Sequence, residues 1–155
     1  MNDDWKKMMA TKQIWHRSHL NAVELTKREE NSLASHLGIV VTEVGNDYLC
    51  ATIPVDVRTV QPHGRLHGGA SVALAETAGS LAANLVLDSA THIAVGLEIN
   101  ANHIRPVKKG LVTATAKAEA LGRTTQIWSI RIVDEQDRLV CLSRLTMAVI
   151  PVDRK

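Results

Sequence analysis

The sequence predicts an α+β fold in which an antiparallel sheet wraps around one long central helix. Three observations lead there. Residues 66–87, LHGGASVALAETAGSLAANLVL, are a nearly continuous run of apolar and small side chains whose only acid is Glu76. After Asp88 the hydrophobic period changes to two, and residues 92–104, 111–121, 124–133 and 138–150 each suit a strand. The short polar links at Gly122-Arg123 and Asp134–Asp137 join neighbouring runs at hairpin distance, so these strands run antiparallel.

The remaining elements follow in order. Residues 1–17 read as an appendage, with Trp5, Met8, Met9, Ile14 and Trp15 able to pack on a neighbour, ahead of a single domain over 18–155. Residues 19–35 read as a weak, polar helix and 36–44 as a strand. Gly45-Asn46-Asp47 is a turn signal, and Tyr48–Val57 resumes as a strand. A glycine-containing loop at 58–65 then leads into the long helix, from about Gly69 to Leu87. Ala114, Ala116 and Ala118 alternate with Thr113, Thr115, Lys117 and Glu119, as in a strand with one face in water. A helix apolar on nearly every side needs more cover than one thin sheet provides. A second copy of the chain is therefore expected, as a homodimer or homotetramer.

Composition removes several functions. At 155 residues the chain is long enough for one core without staples. A net charge of +2, with three Trp, one Tyr and no Phe, argues against a nucleic-acid partner. Cys50 and Cys141 sit in strand-like runs outside any metal spacing, so neither a metal nor a disulfide framework is expected. The N-terminus lacks the apolar core of a secretion signal, which makes a reduced, cytoplasmic setting the default. His67, Glu76 and Asn84 within residues 66–87 weigh against a membrane span.

The chemistry concentrates between Gln61 and Ser80. A lone carboxylate in an apolar helix is costly unless it is paired or used. If the helix starts near Gly69, the free N–H groups of its first turn and the positive end of its dipole suit a developing oxyanion. Gly68 and Gly69 let a carbonyl approach that backbone closely. Gly69, Val72, Ala73, Glu76 and Ser80 share one helix face. Glu76 lies roughly 10 Å along the axis from Gly69, so a partner's Glu76 is expected to serve this oxyanion site. Each residue also has a plainer reading. Glu76 could pair with Arg105, His67 could merely cap the helix, and Gln61 could tie down its loop. Ser80 could bond back to the helix carbonyl, and the glycines could only make the turn.

The run Gln61-Pro-His-Gly-Arg-Leu-His67-Gly68-Gly69-Ala-Ser-Val-Ala-Leu-Ala-Glu76, continuing to Gly79-Ser80, resembles the hotdog-fold acyl-CoA thioesterases of the phenylacetate-thioesterase type. Val95–Arg105 and Ser143-Arg144-Leu-Thr extend the likeness over roughly residues 13–150. Within that group it looks most like the enzymes acting on aromatic acyl-CoA. Notable among them is 1,4-dihydroxy-2-naphthoyl-CoA thioesterase of menaquinone biosynthesis, with the enterobactin-pathway proofreading thioesterase as its close relative. The resemblance implies that Glu76 is the catalytic base or nucleophile and that the Gly68 N–H is the oxyanion donor. It implies that His67 and Gln61 orient carbonyl and water, with Ser80 as the polar residue one turn on. His63 stands where the nearest relatives are expected to carry Phe, which bears on the acyl pocket.

The implied substrate is an acyl-CoA, or a thioester on an acyl or aryl carrier protein, with no metal or redox cofactor. Gly69, His63, His103, Arg105 and Arg123 are the expected substrate contacts. The two arginines, together with Lys108 and Lys109, are expected to form a basic rim for phosphates, the lysines suiting equally a solvated charged edge that discourages sheet aggregation. Two rival classes are a non-catalytic acyl-CoA-binding hotdog protein and an acyl-thioester hydratase or dehydratase. The latter chemistry wants a His/Asp acid–base pair rather than a mid-helix glutamate.

Overall fold

In the computed structural model, residues 12–153 are described; Trp5, Met8 and Met9 of the expected appendage lie outside them. Six strands form one antiparallel sheet in the order β1-β2-β4-β5-β6-β3. They are β1 (Val40–Val44), β2 (Tyr48–Pro54), β3 (His92–His103), β4 (Leu111–Leu121), β5 (Thr125–Asp134) and β6 (Leu139–Pro151). Helices α1 (Ala22–Arg28) and α2 (Leu33–Leu37) precede the sheet, and the long helix α3 (Gly68–Leu85) packs against β2 through β6. The expected hotdog architecture is present.

Two local expectations need correction. Residues 19–35 are not one helix. Asn21 caps α1 through its side chain, Asn31 turns the chain at φ 62, and Ser32 with Ser35 forms a capping box that starts α2. The strand expected from residue 36 begins only at Val40, because Gly38 closes α2 in the left-handed region at φ 75.

Helix α3 begins at Gly68, one residue earlier than expected, with His67 as its N-cap. Leu74, Ala75, Ala78, Ala82 and Ala83 are fully buried against the sheet. Gly79 sets the closest approach: a Cβ there would lie 2.5 Å from Leu145 Cδ2 of β6. The opposite stripe, with Val72, Ala73, Glu76, Thr77, Ser80 and Leu81, is only half-buried in the single chain. Glu76 is therefore at the rim of the core, not inside it.

Trp15 packs into this chain's own core. Its ring stacks on Trp128 with centroids 6.4 Å apart and planes 4° from parallel, and its Nε1 donates to the Gly45 carbonyl at 2.6 Å. The His16 N–H bonds to the Leu85 carbonyl at 2.9 Å, pinning the segment to the end of α3. Cys50 and Cys141 are free and buried, and burial pushes both thiols up from their ordinary pKa. Among the described residues no helix is long and apolar enough to cross a membrane.

Candidate active site

The loop ahead of α3 is held from three sides. Thr59, almost fully buried, donates its hydroxyl to the Pro54 carbonyl at 2.6 Å and accepts from the Asp56 N–H at 3.0 Å. The Gln61 N–H bonds to the Arg65 carbonyl at 2.8 Å, and the Gly64 N–H returns to Gln61 at 2.9 Å. Gly64 turns at φ 70. The Leu66 N–H reaches Val107 and the His67 N–H reaches Thr59, both at 2.8 Å. Gln61 Oε1 accepts from the His63 N–H, so the Gln61 side chain does brace its loop. The His63 ring is exposed.

His67 caps α3 by accepting the Gly69 N–H on Nδ1 at 2.8 Å. That bond leaves the proton of a neutral imidazole on Nε2, a donor without an acceptor among the described residues. Ala70 and Ser71 both donate to the His67 carbonyl, at 3.0 and 3.2 Å. Of the first-turn donors, only the Gly68 N–H finds no acceptor among the described residues. It opens onto a cavity of about 330 Å³ whose lining includes Gln61, Gly68, His103 and Arg105. The His103 imidazole lies so close that a Cβ on Gly68 would be 2.8 Å from its Nε2.

Glu76 and Ser80 belong to a different cavity, about 400 Å³, lined also by Arg28, Glu29, Thr77, Leu81 and Asn84. Ser80 Oγ donates to Glu76 Oε1 at 2.9 Å, so the serine's polar group is spent on the carboxylate and not on the helix backbone. Among the described residues Glu76 has no salt-bridge partner, so a pairing with Arg105 is not formed within the chain. Glu76 lies eight residue steps along the helix from Gly68, about 12 Å along the axis. One chain therefore presents the Gly68 N–H and the Glu76 carboxylate in separate openings.

Of the expected phosphate contacts, His103 and Arg105 border the first cavity and Arg123 does not. Arg123 lies in the β4–β5 turn, beside the β6 end near Val149, whereas His103 pairs with Cys141 at the other end of β6. That is about 27 Å of strand, eight residues of β6. Within one subunit the anticipated cluster of both arginines does not form. Among the described residues no group of three or more His, Cys, Asp or Glu side chains could hold a metal ion.

Two residues at the site escaped sequence reasoning. Gly96 of β3 faces Glu76, and a Cβ there would lie 2.7 Å from Oε1. Asn84 donates to the carbonyls of Ser80 at 2.9 Å and Ala94 at 3.1 Å, and accepts the Ala94 N–H at 2.9 Å. The glycine inside a strand pattern was the one available signal for Gly96.

Residues 63–141 match the model of the thioesterase superfamily. The chain belongs to the thioesterase superfamily. It is 49% identical to a solved Haemophilus influenzae thioesterase, with a TM-score of 0.88 over 92% of this chain and 98% of that one. A glutamine-to-alanine variant of a Pseudomonas aeruginosa thioesterase matches at 44% identity and TM-score 0.88, over 90% and 100% of the two chains. The Escherichia coli PaaI protein of the phenylacetic acid degradation operon is 26% identical, with a TM-score of 0.71 over 84% and 96%.

Proposed function

We propose that this thioesterase-superfamily protein hydrolyses the thioester of an aromatic or medium-length acyl-CoA, or of the same acyl group on a carrier protein. Glu76 is the reacting carboxylate. One observation carries this reading: a carboxylate without a cationic partner, oriented by Ser80, faces an open cavity on the half-buried stripe of α3. The free Gly68 N–H, at the positive end of α3, supports an oxyanion role. The finer kinship, with aromatic acyl-CoA enzymes such as 1,4-dihydroxy-2-naphthoyl-CoA thioesterase, rests on the sequence motif.

In the proposed reaction the thioester carbonyl oxygen accepts the Gly68 N–H, with the His67 Nε2–H and Gln61 orienting carbonyl and water. Glu76 either takes a proton from the attacking water or attacks the carbonyl carbon itself, forming an anhydride that water then opens. In both routes the C–S bond breaks, the CoA thiolate leaves and is protonated, and the free acid remains. His103 and Arg105, beside the first cavity, suit the phosphates of CoA.

The separation of Gly68 from Glu76 within a chain supports a working unit of at least two subunits, each site taking its oxyanion donor from one subunit and its carboxylate from the other. The edge strand β3 is twelve residues long and carries exposed Ile93, Val95 and Leu97, an edge open to strand pairing.

The test is thiol release from a panel of acyl-CoAs. Glu76→Gln preserves shape and removes the base, so kcat is expected to fall about 10²–10⁴-fold with little change in KM. Near-normal turnover in the folded variant overturns the mechanism. No turnover of any thioester by the wild type leaves the acyl-CoA-binding alternative.

A further inference from the structure

We propose that Gly96 is a positioning residue for Glu76: the bare Cα of β3 leaves the space in which the carboxylate rests, and Asn84 fixes how far α3 stands from that strand. The proposal builds on the reading of Glu76 as the reacting group.

The geometry is specific. A Cβ built on Gly96 would stand 2.7 Å from Glu76 Oε1, 3.5 Å from its Cδ and 3.8 Å from Oε2. The first distance is shorter than any ordinary carbon–oxygen contact, so no other residue fits at 96 with the carboxylate where it is. Oε1 is also the oxygen that accepts from Ser80 Oγ at 2.9 Å. The carboxylate is thus held between a donor on its own helix and a strand with no side chain. Pushing Oε1 off Gly96 disturbs the Ser80 bond at the same time.

The gap itself is fixed two residues upstream. The Asn84 side chain pairs with both main-chain groups of Ala94, donating at 3.1 Å and accepting at 2.9 Å. It therefore joins α3 to β3 as a strand neighbour would. Glu76, Ser80 and Asn84 follow one another at four-residue spacing, so oriented carboxylate, orienting hydroxyl and clamp share one helix face. The β-bulge between Gly96 and Glu98 bends the strand at this point.

An alanine at 96 meets only the tip of a flexible side chain, and alanine suits a strand better than glycine does. The fold should therefore survive while the carboxylate moves. A reacting group misplaced by about 1 Å costs on the order of 10²-fold.

The experiment measures kcat, KM and Tm for Gly96→Ala, Glu76→Asp and the double variant, with Glu76→Gln as reference. Gly96→Ala is expected to lower kcat about 10²-fold while KM stays within about twofold and Tm is unchanged. Aspartate withdraws the carboxylate from the new Cβ, so the double variant should lose less than the product of the single losses. A Gly96→Ala enzyme with wild-type kcat, a strictly multiplicative double variant, or a large fall in Tm each overturns the proposal. If Glu76→Gln is itself active, the failure lies in the function assigned to Glu76 and not in the contact with Gly96.

Discussion

In the proposed mechanism His67 serves structure and chemistry through different atoms. Nδ1 accepts the Gly69 N–H and caps the helix, and Nε2–H is the donor that the proposed mechanism assigns to the substrate. The two roles separate by substitution. His67→Ala removes the cap, at a cost of about 1 kcal/mol, whereas His67→Asn supplies a new cap acceptor and should restore most of that stability. Both should depress kcat/KM alike, because neither offers the Nε2–H. Thermal melts beside kinetics decide the matter, and an active Asn variant would show that the imidazole is only a cap. The motif from Gln61 to Ser80 made most candidate residues legible, because loop, glycines and carboxylate are consecutive in the chain. Gly96 was not legible as a site residue. It lies twenty residues beyond Glu76, and a glycine in a strand records that something approaches without saying what.

At the level of elements, the four strands after Asp88 were readable to within about a residue at most ends, because their side chains alternate between core and water. The polar stretch at 19–35 was not, since residues between helices that bury as little as Leu25 and Ala34 carry almost no periodicity. There the caps hold the information: Asn21, Ser32 with Ser35, and Gly38 mark all but one of the boundaries. Helix α3 depends instead on closeness to the sheet. Gly79→Ala gains about 1 kcal/mol of helix propensity, yet its methyl must displace Leu145, a fully buried leucine that has nowhere to swing. Overpacking of this kind costs about 1–3 kcal/mol, so a net loss is expected, read as a lower midpoint in denaturant at unchanged slope. A stabilised variant would mean that α3 can lift from β6 freely.

At the scale of the whole molecule, the proposed assembly rests on the outer edge of β3, which no other strand covers among the described residues. Asn84 already occupies both main-chain groups of Ala94, so in the proposed dimer strand pairing would fall to the residues beyond it. A two-fold antiparallel register centred on Asn100, with the β-bulge after Gly96 taken into account, would set Gly96, and with it Glu76, across from the His103 end of a second chain. That end is where His103 rests against Gly68. The two openings that stand apart in one chain would then face each other across the interface. Complementation tests this arrangement. Glu76→Gln removes the carboxylate, while Gly68→Val fills the space held by His103 and blocks the oxyanion donor, and each homodimer should be nearly inactive. A subunit mixture refolded at equal concentrations should form mixed dimers in which one of the two sites carries both lesions and the other neither. With half the dimers mixed, about a quarter of wild-type activity returns, and sedimentation should report a dimer or tetramer throughout. Inactive mixtures of proven hybrids, or a fully active monomer, would place Gly68 and Glu76 in the same subunit's site and end the composite reading.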